Sequence, residues 1–282
     1  MRDSWMICGQ KFALSNLCWP IEEDRAALRI IRALGYRGLE LAPFKVFGGW
    51  DGVTRADVAN YMDFAASEGL SVIALQGILF GANLDPIFLG PKARLALLKH
   101  ATHVARMAGE FGGLPCVFGA PGLRKLLDLS ASEADRIAIP LFRELGSIFK
   151  DQGSILVLEA NPERYGCEYV TKTGDAVSLV GEVDHPGFRL HVDTGTVCIN
   201  EENDEALEAY VGTAAHFHIS EPNLDSLSIT NPRHRQFGDI LRSSAYADWI
   251  SVEMKQPVGD WQTCLHRSAQ VIEAYYDVQP GH

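Results

Sequence analysis

The chain has 282 residues, 47% of them hydrophobic and 22% charged, with a formal net charge of −11. That is ordinary globular composition with ample apolar material for a large core, and α/β barrels of ~250 residues commonly form one domain. An acidic surface repels phosphate backbones and anionic lipid, so neither nucleic acid nor a membrane is an expected partner, although a local basic pocket stays compatible with a single phosphate.

In chain order, the opening MRDSWMICGQ carries Arg2 and Asp3 without a long apolar run, so no secretory signal is expected. The first apolar run is 11–19, KFALSNLCW, and the amphipathic IEEDRAALRIIRALGY follows it. There Ala27, Ile30, Ile31 and Leu34 recur at three- and four-residue steps, which gives one apolar helical face. Further apolar runs stand at 38–42, 71–75, 115–119, 154–160, 188–193, 214–220 and 249–254. Helix-like segments separate them at 54–68, 91–110, 131–150, 173–183, 203–211 and 235–244, and a last helix closes the chain at 261–276.

Strands rich in Val, Ile and Leu, each separated from the next by a helix, call for a parallel sheet covered on its faces. Eight such units predict one closed (β/α)8 TIM barrel over residues 1–282, with no linker or composition change to mark a second domain. Gly35, Gly69, Gly113 and Gly153 stand just before strands, where helix ends call for a left-handed residue. Cysteines 8, 18, 116, 167, 198 and 264 are scattered without a CxxC pair and read as reduced core residues. No run of ~18 apolar residues is present to span a bilayer, and a cytoplasmic protein is the expectation.

Barrel enzymes carry their chemistry at the C-terminal ends of the strands. Strand five ends in Glu159, strand six in Asp193, strand seven in His216, His218 and Glu221, and strand eight in Glu253. The separations from 159 to 193, 193 to 218 and 218 to 253 are 34, 25 and 35 residues, each close to one strand–helix unit. Four adjacent strands thus deliver one ligand-type side chain each to a common height. A lone Glu at a strand end is more often solvated, Asp193-Thr194-Gly195 alone is more often a turn or helix cap, and a lone His is more often a core residue. The joint pattern favours a shared site, with a mixed carboxylate and imidazole set suited to Mn²⁺, Mg²⁺ or Co²⁺.

The segments LEANPERYG, LHVDTG, HFHISEPN and ISVEMK, in this order, together with GYRGLELAP, resemble the xylose-isomerase-like sugar phosphate isomerase/epimerase superfamily. Within it the resemblance is nearest to the D-tagatose/D-psicose 3-epimerase group, and it covers essentially the whole chain. It implies that Glu159, Asp193, His218 and Glu253 hold one divalent metal, with the second His of the HxH pair as the ligand. It also implies that His191, in the H-x-D segment, stands behind them. The substrate residues of the ketose 3-epimerases fall on Tyr165, Thr196 and Leu224, where the matching Glu, His and Arg are all missing. Recognition of an unmodified ketohexose therefore does not carry over.

The reaction expected of this constellation is proton abstraction next to a carbonyl by one of Glu159 and Glu253 and proton return by the other, on a small-molecule carbohydrate. Candidate substrate contacts are His191, His216, Glu221, Glu40 and Gln76, with His234 following strand seven between Arg233 and Arg235, a trio also suited to a phosphate or carboxylate. Against each stands solvation or a helix start. Trp19, Phe44 and Phe80 are candidates to stack on a sugar or to line the core. A metal-dependent dehydratase or lyase on a keto-sugar or inositol derivative, and a non-catalytic metal-binding barrel, remain as alternatives. An endonuclease would need more His ligands and a basic groove, and the sequence supplies neither. The resemblance allows a homodimer, but no apolar stripe can be assigned to an interface.

Overall fold

The computed structural model describes residues 11–277, so the opening segment with Cys8 lies outside the described residues. The eight apolar runs become eight parallel strands: β1 Phe12–Ser15, β2 Gly38–Leu41, β3 Ser71–Leu75, β4 Pro115–Phe118, β5 Ile155–Glu159, β6 Phe188–Asp193, β7 His216–Ile219 and β8 Ile250–Val252. They pair in sequence order and β8 returns to β1, which closes the barrel. The helices are α1 Asp24–Ala33, α2 Pro43–Phe47, α3 Arg55–Ser67, α4 Pro91–Glu110, α5 Ala131–Lys150, α6 Thr173–Val183, α7 Thr194–Ile199, α8 Asp204–Val211, α9 Arg233–Ser243 and α10 Trp261–Tyr275.

Eight of these are the amphipathic segments read from the sequence. The short α2 and α7 follow β2 and β6 directly and were not expected. The first strand is shorter than the run 11–19, because the Ser15 side chain accepts from the Leu17 amide and turns residues Asn16–Cys18 into a 3-10 turn. Gly35, Gly69, Gly113 and Gly153 all take positive φ, between 73° and 103°. Leu156, Leu158, Leu190, Phe217 and their neighbours pack into one apolar core between barrel and helices, and burial of this kind is the dominant stabilising term. Phe142 of α5 stacks on Phe188 of β6 at 4.9 Å and meets Phe118 of β4 edge-on at 5.3 Å, which clamps that helix to the sheet.

Register sets the height of the site. Asp193 pairs with His218, and Glu159 with His191, so the C-terminal parts of the parallel strands β5, β6 and β7 bring these side chains to one end of the barrel. Glu253 follows β8 and its amide donates to the carbonyl of Ile219. The β2–β3 register shifts between Leu39 and Glu40, an irregularity of the type that re-aims a side chain beside a site. Cys18, Cys116, Cys167 and Cys264 are buried and Cys198 is half-buried, all as free thiols. Among the described residues no helix is long and apolar enough to cross a membrane.

Candidate metal centre

Asp193, His218 and Glu253 each offer one ligand atom, and these atoms lie within 4.8 Å of one another. Each is held from behind. Asp193 caps α7 by accepting from the Thr196 amide at 2.6 Å, and it also accepts from the Ser220 hydroxyl. The helix cap and the ligand-type position, weighed as alternatives from the sequence, are both occupied by the same carboxylate. His218 has its Nε2 on the Glu40 carboxylate, 2.9 and 3.0 Å from the two oxygens. Its Nδ1 is buried and lies 3.3 Å from Glu253 Oε2, its one partner among the described residues. A carboxylate behind an imidazole whose other nitrogen faces a cluster of carboxylates is the arrangement that fixes a metal-binding tautomer.

The electrostatics point the same way. Burial raises the Glu159 carboxyl, and the charges of Asp193 and Glu253 raise it further, to about 8. Glu253 is also raised, first by burial and then by Asp193 and Glu40, against the opposing effect of His218. Burial works against a charge on His218, but the carboxylates of Glu40 and Glu253 outweigh it and hold the imidazole well above its ordinary value. Burial likewise opposes ionisation of Glu40, yet His218 and His216 beside it keep it well below the carboxylate range. Glu159 and Glu253 thus stay raised despite the opposing charges of His218 and Arg124, and a divalent cation, for which the donor set is suited, would relieve the remaining repulsion.

Glu159, Asp193 and Glu253 line a cavity of about 620 Å³ at the end of the barrel, together with Gln76, Asn161 and Glu221. Gln76 donates to Ser15 and leaves its buried Oε1 without a partner. Glu221 accepts from the Ser228 amide at 3.1 Å, from Asn231 at 2.8 Å and from His234 Nε2 at 3.1 Å.

Several expected contacts sit elsewhere. Glu40 is fully buried under the site and holds His216 and His218, so it presents nothing to the cavity. His191 and His216 stack at 5.2 Å in the same buried layer, and neither lines the cavity. With His218 these two rings form a second possible cluster of ligand atoms, but the Nε2 atoms of His216 and His218 are already committed to Glu40. His234 is buried between Glu221 and the Tyr276 hydroxyl. Arg233 pairs with Asp204 at 2.7 Å, and Arg235 lies over the Tyr275 ring, so the trio makes no anion pocket at the site. Trp19 is core, with its indole N–H on Asp24, and Phe44 packs behind Phe80. Of the three aromatic candidates, Phe80 alone lines the cavity. Tyr165 and Leu224 line it as well, whereas Thr196 turns its hydroxyl to the Ala160 carbonyl.

Two participants were not read from the sequence. Gly119, one residue past β4, lies so close to Glu159 that a Cβ there would push the Glu159 carboxylate aside. Arg124 is fully buried and donates to the carbonyls of Gly119 and Val170 and to Asn161 Oδ1, and its charge favours ionisation of Glu159 from behind. Nothing in the motif PGLR separates this arginine from a solvated one.

A family model described as xylose isomerase-like TIM barrel matches residues 28–274. No curated protein matches the chain. Among solved structures, the chain is similar to the 3-keto-D-glucoside 4-epimerase of E. coli, with 20% identity, 94% of this chain and 100% of that one covered, and TM-score 0.75. It is similar to the D-psicose 3-epimerase of Clostridium cellulolyticum H10 at 13% identity, covering 94% and 98% of the two chains with TM-score 0.79. A family 2 AP endonuclease from Brucella melitensis also matches, at 16% identity, 91% and 97% coverage and TM-score 0.70. At these identities the likenesses establish a shared barrel, on which several chemistries are built.

Proposed function

The chain belongs to the xylose isomerase-like TIM barrel family, and from that premise we propose that it is a divalent-metal-dependent sugar isomerase or epimerase working by proton transfer next to a carbonyl. The observation that carries this reading is the buried Nδ1 of His218, 3.3 Å from Glu253 Oε2, in a cluster whose ligand atoms on Asp193, His218 and Glu253 lie within 4.8 Å of one another. The sugar epimerases among the structural neighbours support the class.

Glu159, Asp193, His218 and Glu253 would hold the cation, and a mixed set of three carboxylates and one imidazole suits Mn²⁺, with Mg²⁺ or Co²⁺ as substitutes. When bound, such a cation supplies Lewis-acid polarisation of a carbonyl and offsets the negative charge of an enediolate. The protein does the rest. Glu40 keeps the proton of His218 on Nε2, so that the Nδ1 lone pair is aimed at the cluster. Asp193 is oriented by the Ser220 hydroxyl and the Thr196 amide of α7. Glu159 and Glu253 stand on strands separated by those that carry Asp193 and His218, so a sugar over the cluster has a carboxylate on either side. One takes the proton from the carbon next to the carbonyl, and the other returns one. Return to the opposite face inverts the carbon, and return to the neighbouring carbon isomerises the sugar. The free Oε1 of Gln76 accepts from a sugar hydroxyl.

The test is substitution of each glutamate by the isosteric amide. Glu159→Gln and Glu253→Gln should each lower turnover by ~10²–10⁴-fold, the usual contribution of a positioned acid or base, with the thermal midpoint little changed. Unfolding of the variants with full activity per folded molecule would overturn the assignment.

A further inference from the structure

We infer that Asn161 is a catalytic residue of this site. Its amide nitrogen donates to the substrate oxygen beside the carbon that exchanges its proton, and the buried guanidinium of Arg124 positions the amide to do so. This rests on the sugar isomerase or epimerase reading above and deepens it.

Arg124 sets the orientation of the Asn161 amide. The arginine ends the turn Pro121–Arg124 after β4 and is fully buried. Its hydrogen bonds go to amide oxygens: the carbonyls of Gly119 at 2.7 Å, Val170 at 3.1 Å and Tyr169 at 3.4 Å, and Asn161 Oδ1. A guanidinium donates and never accepts, so only the oxygen of the Asn161 amide can face it. The carboxamide is thereby locked one way round, with Nδ2 turned away from the arginine. Asn161 is 6% exposed and lines the cavity, so what it offers a ligand there is an N–H donor. A guanidinium buried against neutral oxygens costs stability, and violations of that kind are expected at functional sites.

The amide also stands where the chemistry happens. Asn161 follows Glu159 by two residues and both line the cavity, as alternate residues of an extended segment do. A Cβ on Gly119 would crowd the Glu159 carboxylate and lie 3.6 Å from Asn161 Oδ1, so carboxylate and amide are side by side. A carbon whose proton meets Glu159 therefore has its neighbouring oxygen within reach of Nδ2.

Proton transfer needs such a donor. When the proton passes from carbon to a carboxylate, the C–H electron pair forms the new C=C bond and the C=O π pair moves onto oxygen. Negative charge thus grows on an oxygen in a cavity lined by four carboxylates, those of Glu159, Asp193, Glu221 and Glu253. The other side-chain amide there, Gln76, commits its nitrogen to Ser15 and offers an acceptor. The Tyr165 hydroxyl is tied to the loop after β7, where it accepts from the Asn223 amide at 2.6 Å. Asn161 is the side-chain donor fixed beside Glu159. A fixed N–H dipole aimed at developing charge stabilises it without reorganisation as the proton moves.

Glycolohydroxamate, a planar anion that presents two adjacent oxygens as an enediolate does, is the probe, and calorimetry of the Mn²⁺-loaded protein is the measurement. Asn161→Ala should bind it about ten- to a hundredfold more weakly than the parent protein, the worth of a hydrogen bond to a charged oxygen, with Mn²⁺ affinity nearly unchanged. Arg124 keeps its three carbonyl acceptors in that variant, so the loops after β4 and β5 stay joined. Arg124→Gln introduces a side chain that both donates and accepts, which frees the Asn161 amide to turn over. It should weaken the probe to a similar degree, yet add little in the Asn161→Ala background, whereas a purely structural arginine would give additive losses. Arg124→Lys, which again only donates, should retain most of the affinity. Parent-like affinity in Asn161→Ala, or additive losses in the double variant, would overturn the inference. Failure of the parent reading is separate, because it appears as absence of metal-dependent proton exchange on any sugar.

Discussion

Loading the metal-stripped protein with Mn²⁺ at pH 7 is expected to release about two protons. In the metal-free protein His218 is held protonated by Glu40 and Glu253, and a ligating imidazole must give up the proton on the coordinating nitrogen. The Glu159 carboxyl, raised to about 8, is protonated in roughly nine molecules of ten at pH 7 and must also ionise to become a ligand. Glu253, raised by burial, adds in the same direction. Isothermal titration in two buffers of equal pH but different ionisation enthalpy counts these protons directly. By linkage the apparent affinity should rise by about a hundredfold per pH unit around pH 7 and less steeply above pH 8. Glu159→Gln should reduce the release to about one proton. Release of less than about half a proton by the parent protein, with an affinity flat in pH, would refute the reasoning.

The same groups set the pH response of the metal-free fold. Glu159 and His218 both have folded-state values above their unfolded ones, so each binds protons more tightly when folded and its contribution is lost as pH rises. The thermal midpoint in chelator should therefore fall between pH 7 and 8.5, above the range where His100 and His191, depressed by burial, act in the opposite sense; a rising midpoint would contradict this, and saturating metal should flatten the fall. Glu40→Gln should weaken Mn²⁺ affinity by ~10- to 100-fold, the usual cost of removing the group behind a ligating histidine, and an unchanged dissociation constant would show that Glu40 does not orient His218. Gly119→Ala should displace the Glu159 carboxylate and lower turnover at least ~10-fold with only a small change in thermal midpoint; full activity would mean that Glu159 has room to move.

Much of this architecture is legible in the sequence because barrel strands are covered on both faces, so that runs such as SILVLEA and FRLHVD stand out between amphipathic helices. The strand ends carry the chemistry for the same reason: Glu159, Asp193, His218 and Glu253 each interrupt an apolar run near the C-terminal end of its strand. What the sequence conceals is direction. Glu40 and Gln76 both end strands, yet the register shift at Leu39/Glu40 turns the first beneath the site while the second faces the cavity. His234 sits in a polar stretch of NPRHRQFG and is nevertheless buried behind Glu221. The short helices α2 and α7 span five and six residues, less than two turns, so no apolar period can announce them. Gly119 and Arg124 owe their roles to Glu159 and Asn161, some 40 residues away in the chain, contacts that only the closed barrel creates.

The central claim is proton transfer by Glu159 and Glu253 over a metal site, and hydrogen–deuterium exchange followed by NMR tests it most directly. The protein, stripped and reloaded with Mg²⁺ to avoid paramagnetic broadening, would be incubated in D2O with ketoses, their phosphates, keto-inositols and keto-glycosides. The account predicts metal-dependent loss of one C–H signal adjacent to a carbonyl, absent with Glu159→Gln and with Glu253→Gln. Tight metal binding with no exchange on any of these compounds would contradict it.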